Sequence, residues 1–184
     1  MKKTYALAAV AALGMTGAVM ADTLYIDMTG WETYTGFAAP GGLNSETIVT
    51  LGAGTEIVNI EFVGIQLQMF NGSWASEFTV SVNDGLSFDN FWDSTIPGAP
   101  NNGNPFGPVS ANFDNPGLFG SGPFTMVNDD LWICVYETWN DAGNAIDARV
   151  IAGGILITYN PIPAPGALAL LGVAGLVGVR RRRA

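Results

Sequence analysis

The sequence predicts an all-β protein: an antiparallel β-sandwich of jelly-roll type, with an apolar helical segment flanking it at each end. Three observations carry this. Apolar and polar residues alternate in short runs, the period of a strand with one face in a core. Clusters of Gly, Asn, Asp and Pro separate the runs. Between Asp22 and Pro161 no stretch shows the apolar spacing of an amphipathic helix.

Taken in order, Leu24, Ile26 and Met28 alternate with Tyr25 and Asp27, and Thr47–Leu51 is a second short run. Val58, Ile60 and Phe62 share one parity. After Gly64 the parity flips to Ile65, Leu67 and Met69. A one-residue slip at a glycine is the mark of a β-bulge that keeps the same face inward. Phe78, Val80 and Val82 form the next strand, and Asn83-Asp84-Gly85 reads as its turn. Leu131–Trp139 and Ala148–Tyr159 read as two long strands joined by the polar stretch Asn140–Asp147. Seven or more short strands fit a sandwich, and a closed barrel is the other architecture the pattern admits. The segment Asp93–Pro123 differs: 17 of its 31 residues are Gly, Pro or Asn. It reads as a long irregular loop pinned by Phe106, Val109, Phe113, Leu118 and Phe119, with a short strand near Val109–Phe113.

All five tryptophans (Trp31, Trp74, Trp92, Trp132, Trp139) lie in this body, which has the size and apolar content of one packed domain. Charge is segregated. The 16 acidic residues fall between Asp22 and Asp147, and the only basic residue of the body is Arg149, so the body carries a formal charge of −15. Nucleic acid is thereby excluded as a partner, because phosphate binding needs a Lys/Arg surface. Such a charge keeps an exported protein soluble.

The chain has no histidine. This removes Ser-His-Asp and Cys-His catalysis and histidine metal sites. Cys134, the lone cysteine, sits among apolar neighbours and reads as a buried thiol. With Arg149 alone there is no clamp for phosphoryl transfer. Only carboxylate chemistry such as glycoside hydrolysis survives, and sixteen acids are as well explained as solvated surface. The chain is therefore expected to be no enzyme, with no catalytic residue and no cofactor. Calcium is the one ion its composition admits, at Asn128-Asp129-Asp130 or at Asn140, Asp141, Asn144 and Asp147. Neither stretch has EF-hand spacing, and both suit turn chemistry. Phe88, Phe91 and Trp92, interleaved with Asp89, Asn90 and Asp93, offer a face for sugar stacking or a cover for one end of the core. Asn71-Gly72-Ser73 matches a glycosylation sequon.

The two ends carry addresses. Lys2 and Lys3 precede the uncharged run Ala6–Val19, and small residues at Val19 and Ala21 place a cleavage site between Ala21 and Asp22. This is the pattern of a secretory signal peptide, residues 1–21, read by the export machinery and signal peptidase. At the other end, Pro161-Ile-Pro163-Ala164-Pro165-Gly166 leads into the apolar run Gly166–Val179 and then Arg180, Arg181, Arg182 and Arg183. As a helix the run spans about 21 Å, short of a bilayer core of about 30 Å. Its basic end reads as a stop signal held on the cytoplasmic side. The domains expected are thus 1–21, 22–160 and 161–184.

Pro163-Ala164-Pro165-Gly166, the Ala/Leu/Gly-rich helix and Arg180–Arg183 resemble the PEP-CTERM sorting tail of exported bacterial proteins, with Ala164 where the family has Glu. The resemblance covers residues 161–184 only. It implies recognition and processing near Pro163–Gly166 by a membrane-embedded exosortase, in a bacterium that makes exopolysaccharide. The expectation is an exported, non-enzymatic protein of the cell surface or extracellular matrix, transiently or permanently held in the membrane by its tail. A lectin-like module for extracellular polysaccharide, with or without calcium, is the alternative.

Overall fold

The computed structural model describes residues 21–37, 41–85, 91–113, 123–141 and 143–162. Ten strands run through them: β1 (Asp22–Asp27), β2 (Glu32–Thr33), β3 (Glu46–Thr50), β4 (Glu56–Met69), β5 (Phe78–Asp84), β6 (Phe91–Thr95), β7 (Phe106–Asn112), β8 (Phe124–Thr125), β9 (Asp130–Glu137) and β10 (Ala148–Asn160). The only helical element among the described residues is the 3-10 turn Ala75–Glu77. None of their helices is long and apolar enough to cross a membrane. The signal segment before Ala21 and the tail from Pro163 onward lie outside the described residues.

The strands form two antiparallel sheets. One has the order β1-β10-β4-β7, with β2 added to β10 and β8 to β4. The other has the order β3-β9-β5-β6. Their inner faces meet in one core, as the alternating pattern requires. Ile60, Phe62, Ile65, Leu67, Ile155 and Ile157 come from the first sheet, and Phe78, Val80, Val82, Leu131, Ile133 and Val135 from the second. Fully burying each such side chain is worth about 1.5–3 kcal/mol. The result is an all-β, sandwich-like fold.

The parity flip at Gly64 behaves as the sequence predicts. Ile60 and Phe62 before it and Ile65, Leu67 and Met69 after it are all buried, while Val63 faces out. The register of β4 slips against β7 between Phe62 and Ile65, and against β10 across Val150–Gly154. Gly64 has φ +60° and faces Gly153, φ +86°, on β10. A Cβ on Gly153 would run into the Gly64 carbonyl, so the kink requires glycine on β10, whereas Gly64 has open space and only its positive φ favours glycine. A second slip, between Thr158 and Tyr159, puts Ile57 in the core and leaves Val58 half-buried. Unbroken alternation had assigned Val58 inward.

Two further expectations are corrected, and one feature goes beyond them. The Gly/Pro/Asn-rich segment holds the short strand expected near Val109–Phe113 but is more regular than a loop: it supplies part of β6 and the whole seven-residue β7, which pairs with β4. Inward Phe106 and Val109 make that edge worth forming. Asn83 and Asp84 belong to β5 rather than to its turn, which falls at Gly85, φ +62°. Asp84 then caps the chain before β9, accepting the N–H groups of Val127 (2.6 Å) and Asn128 (2.9 Å). Finally, β5 is buried on both faces. Phe37 lies edge-on to Trp132 and Tyr136 (centroids 5.8 and 5.2 Å) and helps to cover the outer face of this sheet.

Candidate functional site

The two sheets exchange chain at one end of the domain. After β4 the chain crosses through residues 70–77 to start β5. After β9 it crosses back through residues 138–147 to start β10. Ala148 pairs with Met69, and Phe78 with Glu137, so the two crossings lie side by side. Asn71 and Gly72 both have positive φ (54° and 94°), and Ser73 N–H closes on the Phe70 carbonyl at 3.0 Å. This is the tight turn that an Asn-Gly pair favours. The Asn71 amide then donates to the Ile146 carbonyl (2.8 Å), and Thr138 N–H to the Glu77 carbonyl (3.0 Å). The crossings are thus tied together.

Between them lies an open recess of about 500 Å³ lined by Asn71, Gly72, Trp74, Glu77, Trp139 and Asp141. Trp74 is 44% exposed and Trp139 68%. Neither indole has a ring partner among the described aromatic contacts. Leaving an aromatic face in water forfeits about 2 kcal/mol of burial. Two such faces in one recess are a stacking surface for a ligand with an apolar face, and the amide and carboxylates beside them are hydroxyl partners. Glu77 Oε2 accepts Trp74 N–H (3.0 Å) and the Ser73 hydroxyl (3.5 Å), which fixes the turn that presents Trp74.

Beneath the recess sits a buried carboxyl, Glu137. It is fully inaccessible, accepts the Thr33 hydroxyl at Oε1 (2.7 Å) and is hydrogen-bonded through Oε2 to the Ser73 hydroxyl (3.2 Å), to which its neutral form donates. Burial pushes its pKa up to about 8, and the neighbouring acids Asp147 and Glu77 push the same way. At neutral pH the side chain is a neutral acid that braces both crossings. The sole body cation is already committed. Arg149 pairs with Glu32, its Nε donating at 2.6 Å, and lies over the Phe70 ring at 5.6 Å.

Of the residues singled out from sequence, Asn71 and Asp141 line the recess, and the others fall elsewhere. Ala21 and Asp22 are exposed at the start of the first sheet's edge strand. Pro163, Ala164, Pro165, Gly166 and Arg180–Arg183 lie outside the described residues, as do Phe88, Asp89 and Asn90. Trp92 is buried in the core, edge-on to Phe124 with centroids 5.7 Å apart, so it is no sugar platform. Asp93 is held by the Tyr136 hydroxyl (3.0 Å), and burial raises its pKa. Of the calcium candidates, Asp129 accepts Ala53 N–H (2.9 Å), Asp130 accepts the Thr50 hydroxyl (2.6 Å) and Asp147 is buried. These are the turn and strand-end roles that Asn and Asp fill without a metal. Among the described residues no three His, Cys, Asp or Glu side chains converge on a metal position. Ser73 of the sequon is fully buried. Cys134 is buried as expected, its thiol pushed up to about 12 by burial and by nearby Asp93 and Glu46.

The recess was missed because Trp139 reads as the end of a strand and Trp74 is only one of five tryptophans in the body. The signal was the company they keep. Asn71-Gly72-Ser73-Trp74 and Trp139-Asn140-Asp141 place large aromatics inside turn chemistry, where no sheet face waits to bury them. No family model, no characterised protein and no solved structure matches this chain.

Proposed function

We propose that this chain is an exported, non-enzymatic jelly-roll protein of the cell surface or extracellular matrix, sorted through its C-terminal tail, whose domain binds polysaccharide. The strand order supports the jelly roll. Numbering the eight principal strands along the chain (omitting β2 and β8) gives one sheet as 1-8-3-6 and the other as 2-7-4-5. Strands 1 and 8, 2 and 7, 3 and 6, and 4 and 5 are neighbours, the pairing produced by rolling up one long hairpin. The tail motif supports sorting: Pro163–Gly166, Gly166–Val179 and Arg180–Arg183 stand in the order an exosortase-type enzyme would read.

The observation that carries the binding reading is the pair of exposed indoles, Trp74 and Trp139, in one recess with Asn71, Glu77 and Asp141. A sugar ring offers C–H faces to the indoles and equatorial hydroxyls to the polar rim. Affinity electrophoresis of the exported protein against a panel of polysaccharides tests this. Retardation should be lost in Trp74→Ala and in Trp139→Ala, each stacking contact being worth about 1 kcal/mol or more beyond its area. Unchanged retardation in the double variant would dismiss the site.

A further inference from the structure

We infer that the recess selects a polysaccharide bearing free amino groups, such as a partly de-N-acetylated hexosamine polymer, over neutral or acidic ones. This rests on the polysaccharide reading above and adds the chemistry of the ligand. The recess combines two aromatic faces with two carboxylates, Glu77 and Asp141. Glu77 receives both of its hydrogen bonds at Oε2, leaving Oε1 without a partner among the described residues. Asp141 is exposed. The polar rim is otherwise the Asn71 amide, whose nitrogen is tied to Ile146.

No positive charge balances this end. Arg149, two residues beyond the second crossing, spends its guanidinium on Glu32 and the Phe70 ring, and the other charged residues of the body are all acids. A polyuronate or a phosphorylated glycan would meet like charge on every approach. A protonated amino sugar meets the opposite. Its ammonium finds carboxylates at the rim and an indole face that attracts cations. Its ring carbons still have a surface to stack on. Fully acetylated or neutral sugars keep the stacking and lose the charge.

The test uses the protein expressed in full and recovered after export. Four polymers are compared at mildly acidic pH: a de-N-acetylated glucosamine polymer, the same polymer re-acetylated, a neutral β-glucan and a polyuronate. The free-amine polymer should bind tightest and lose affinity with added salt, since exposed charge pairs are screened over about 10 Å at 0.1 M. Glu77→Gln and Asp141→Asn should each weaken it by about two- to fivefold. Binding of the re-acetylated polymer, whose hydroxyls Gln and Asn can still hydrogen-bond, should fall by less, so that each variant narrows the ratio between the two polymers. Asp141→Asn serves if Glu77→Gln disturbs the turn. Asp22→Asn with Asp130→Asn is the control for overall charge. These residues begin β1 and β9 at the opposite end of the domain, and neutralising them should change nothing. Equal binding of the amine and re-acetylated polymers, a preference for the polyuronate, or an equal effect of the control pair would overturn the amine selectivity while leaving a polysaccharide site. Binding to none of the four would sink the underlying reading as well.

Discussion

Replacing Glu137 with Gln should stabilise this protein, and by an amount set by pH. Glu137 is wholly buried, and its pKa rises from an ordinary 4.5 to about 8 in the fold. Below pH 4.5 the side chain is neutral in both folded and unfolded chains and costs nothing. Between pH 4.5 and about 8 the unfolded chain has given up the proton and the folded one keeps it. Each pH step therefore favours unfolding by about 1.4 kcal/mol, up to a total of about 4–5 kcal/mol at pH 8. A single domain has only about 5–15 kcal/mol to lose. Gln has the same shape. Its oxygen can accept the Thr33 hydroxyl and its amide can donate to Ser73, so the brace between the crossings survives. Urea unfolding at pH 5, 6.5 and 8 reads this directly. Wild type and Glu137→Gln should coincide near pH 5 and separate by several kcal/mol at pH 8, the variant being the more stable. Parallel pH profiles, or a variant weaker at pH 8, would refute the neutral buried acid.

Gly153→Ala should cost about 3 kcal/mol or more in urea unfolding, because a Cβ there meets the Gly64 carbonyl at positive φ. Gly143→Ala, also at positive φ but with open space around its Cβ, should cost only about 1 kcal/mol. Cys134, with its thiol pushed up to about 12, should resist a thiol reagent at pH 8 in the folded protein and react at once in denaturant. Removing Arg180–Arg183 should change the surface delivery and mature mass of the exported chain. An intact mass unchanged from wild type would remove the sorting role of the tail.

Much of the core was legible because burial imposes a period. Ile60, Phe62, Ile65 and Leu67 announce their face, and the slip at Gly64 announces its bulge. What the alternation could not convey was the second layer over β5. Thr79 and Ser81 alternate with core residues as a solvent face would and Asn83 reads as a turn, yet all three are buried. Polar residues under a covering loop look like polar residues in water, since the cover is a tertiary fact. Edge strand β7 was legible only in its second half, near Val109–Phe113, for a related reason. Its Gly107 and Pro108 are residues of turns, tolerated here because an edge strand leaves half its backbone groups unpaired. The recess was the least legible feature. It needs Trp74 and Trp139, far apart in sequence, brought together by the Met69–Ala148 and Phe78–Glu137 pairings.

The placement of the ends bears on how such a recess would be used. β10 runs from Ala148, beside the recess, to Asn160, which pairs with Glu56. Thirteen residues of strand cover about 40 Å. Asp22 pairs with Tyr159, so the chain enters the domain at that far end too. There Ile162 lies against Gly54. A body held through the residues that follow Ile162 therefore carries its tryptophans outward, about a domain's length from whatever holds it. The proposed sorting and the proposed binding would then use opposite ends and would not compete. A bulky label placed between Ala21 and Asp22 should leave polysaccharide binding intact, whereas the same label inserted between Gly143 and Asn144 should abolish it. Binding that survives the insertion and fails with the N-terminal label would mean that the ligand sits at the far end, and that the two indoles face outward for another reason.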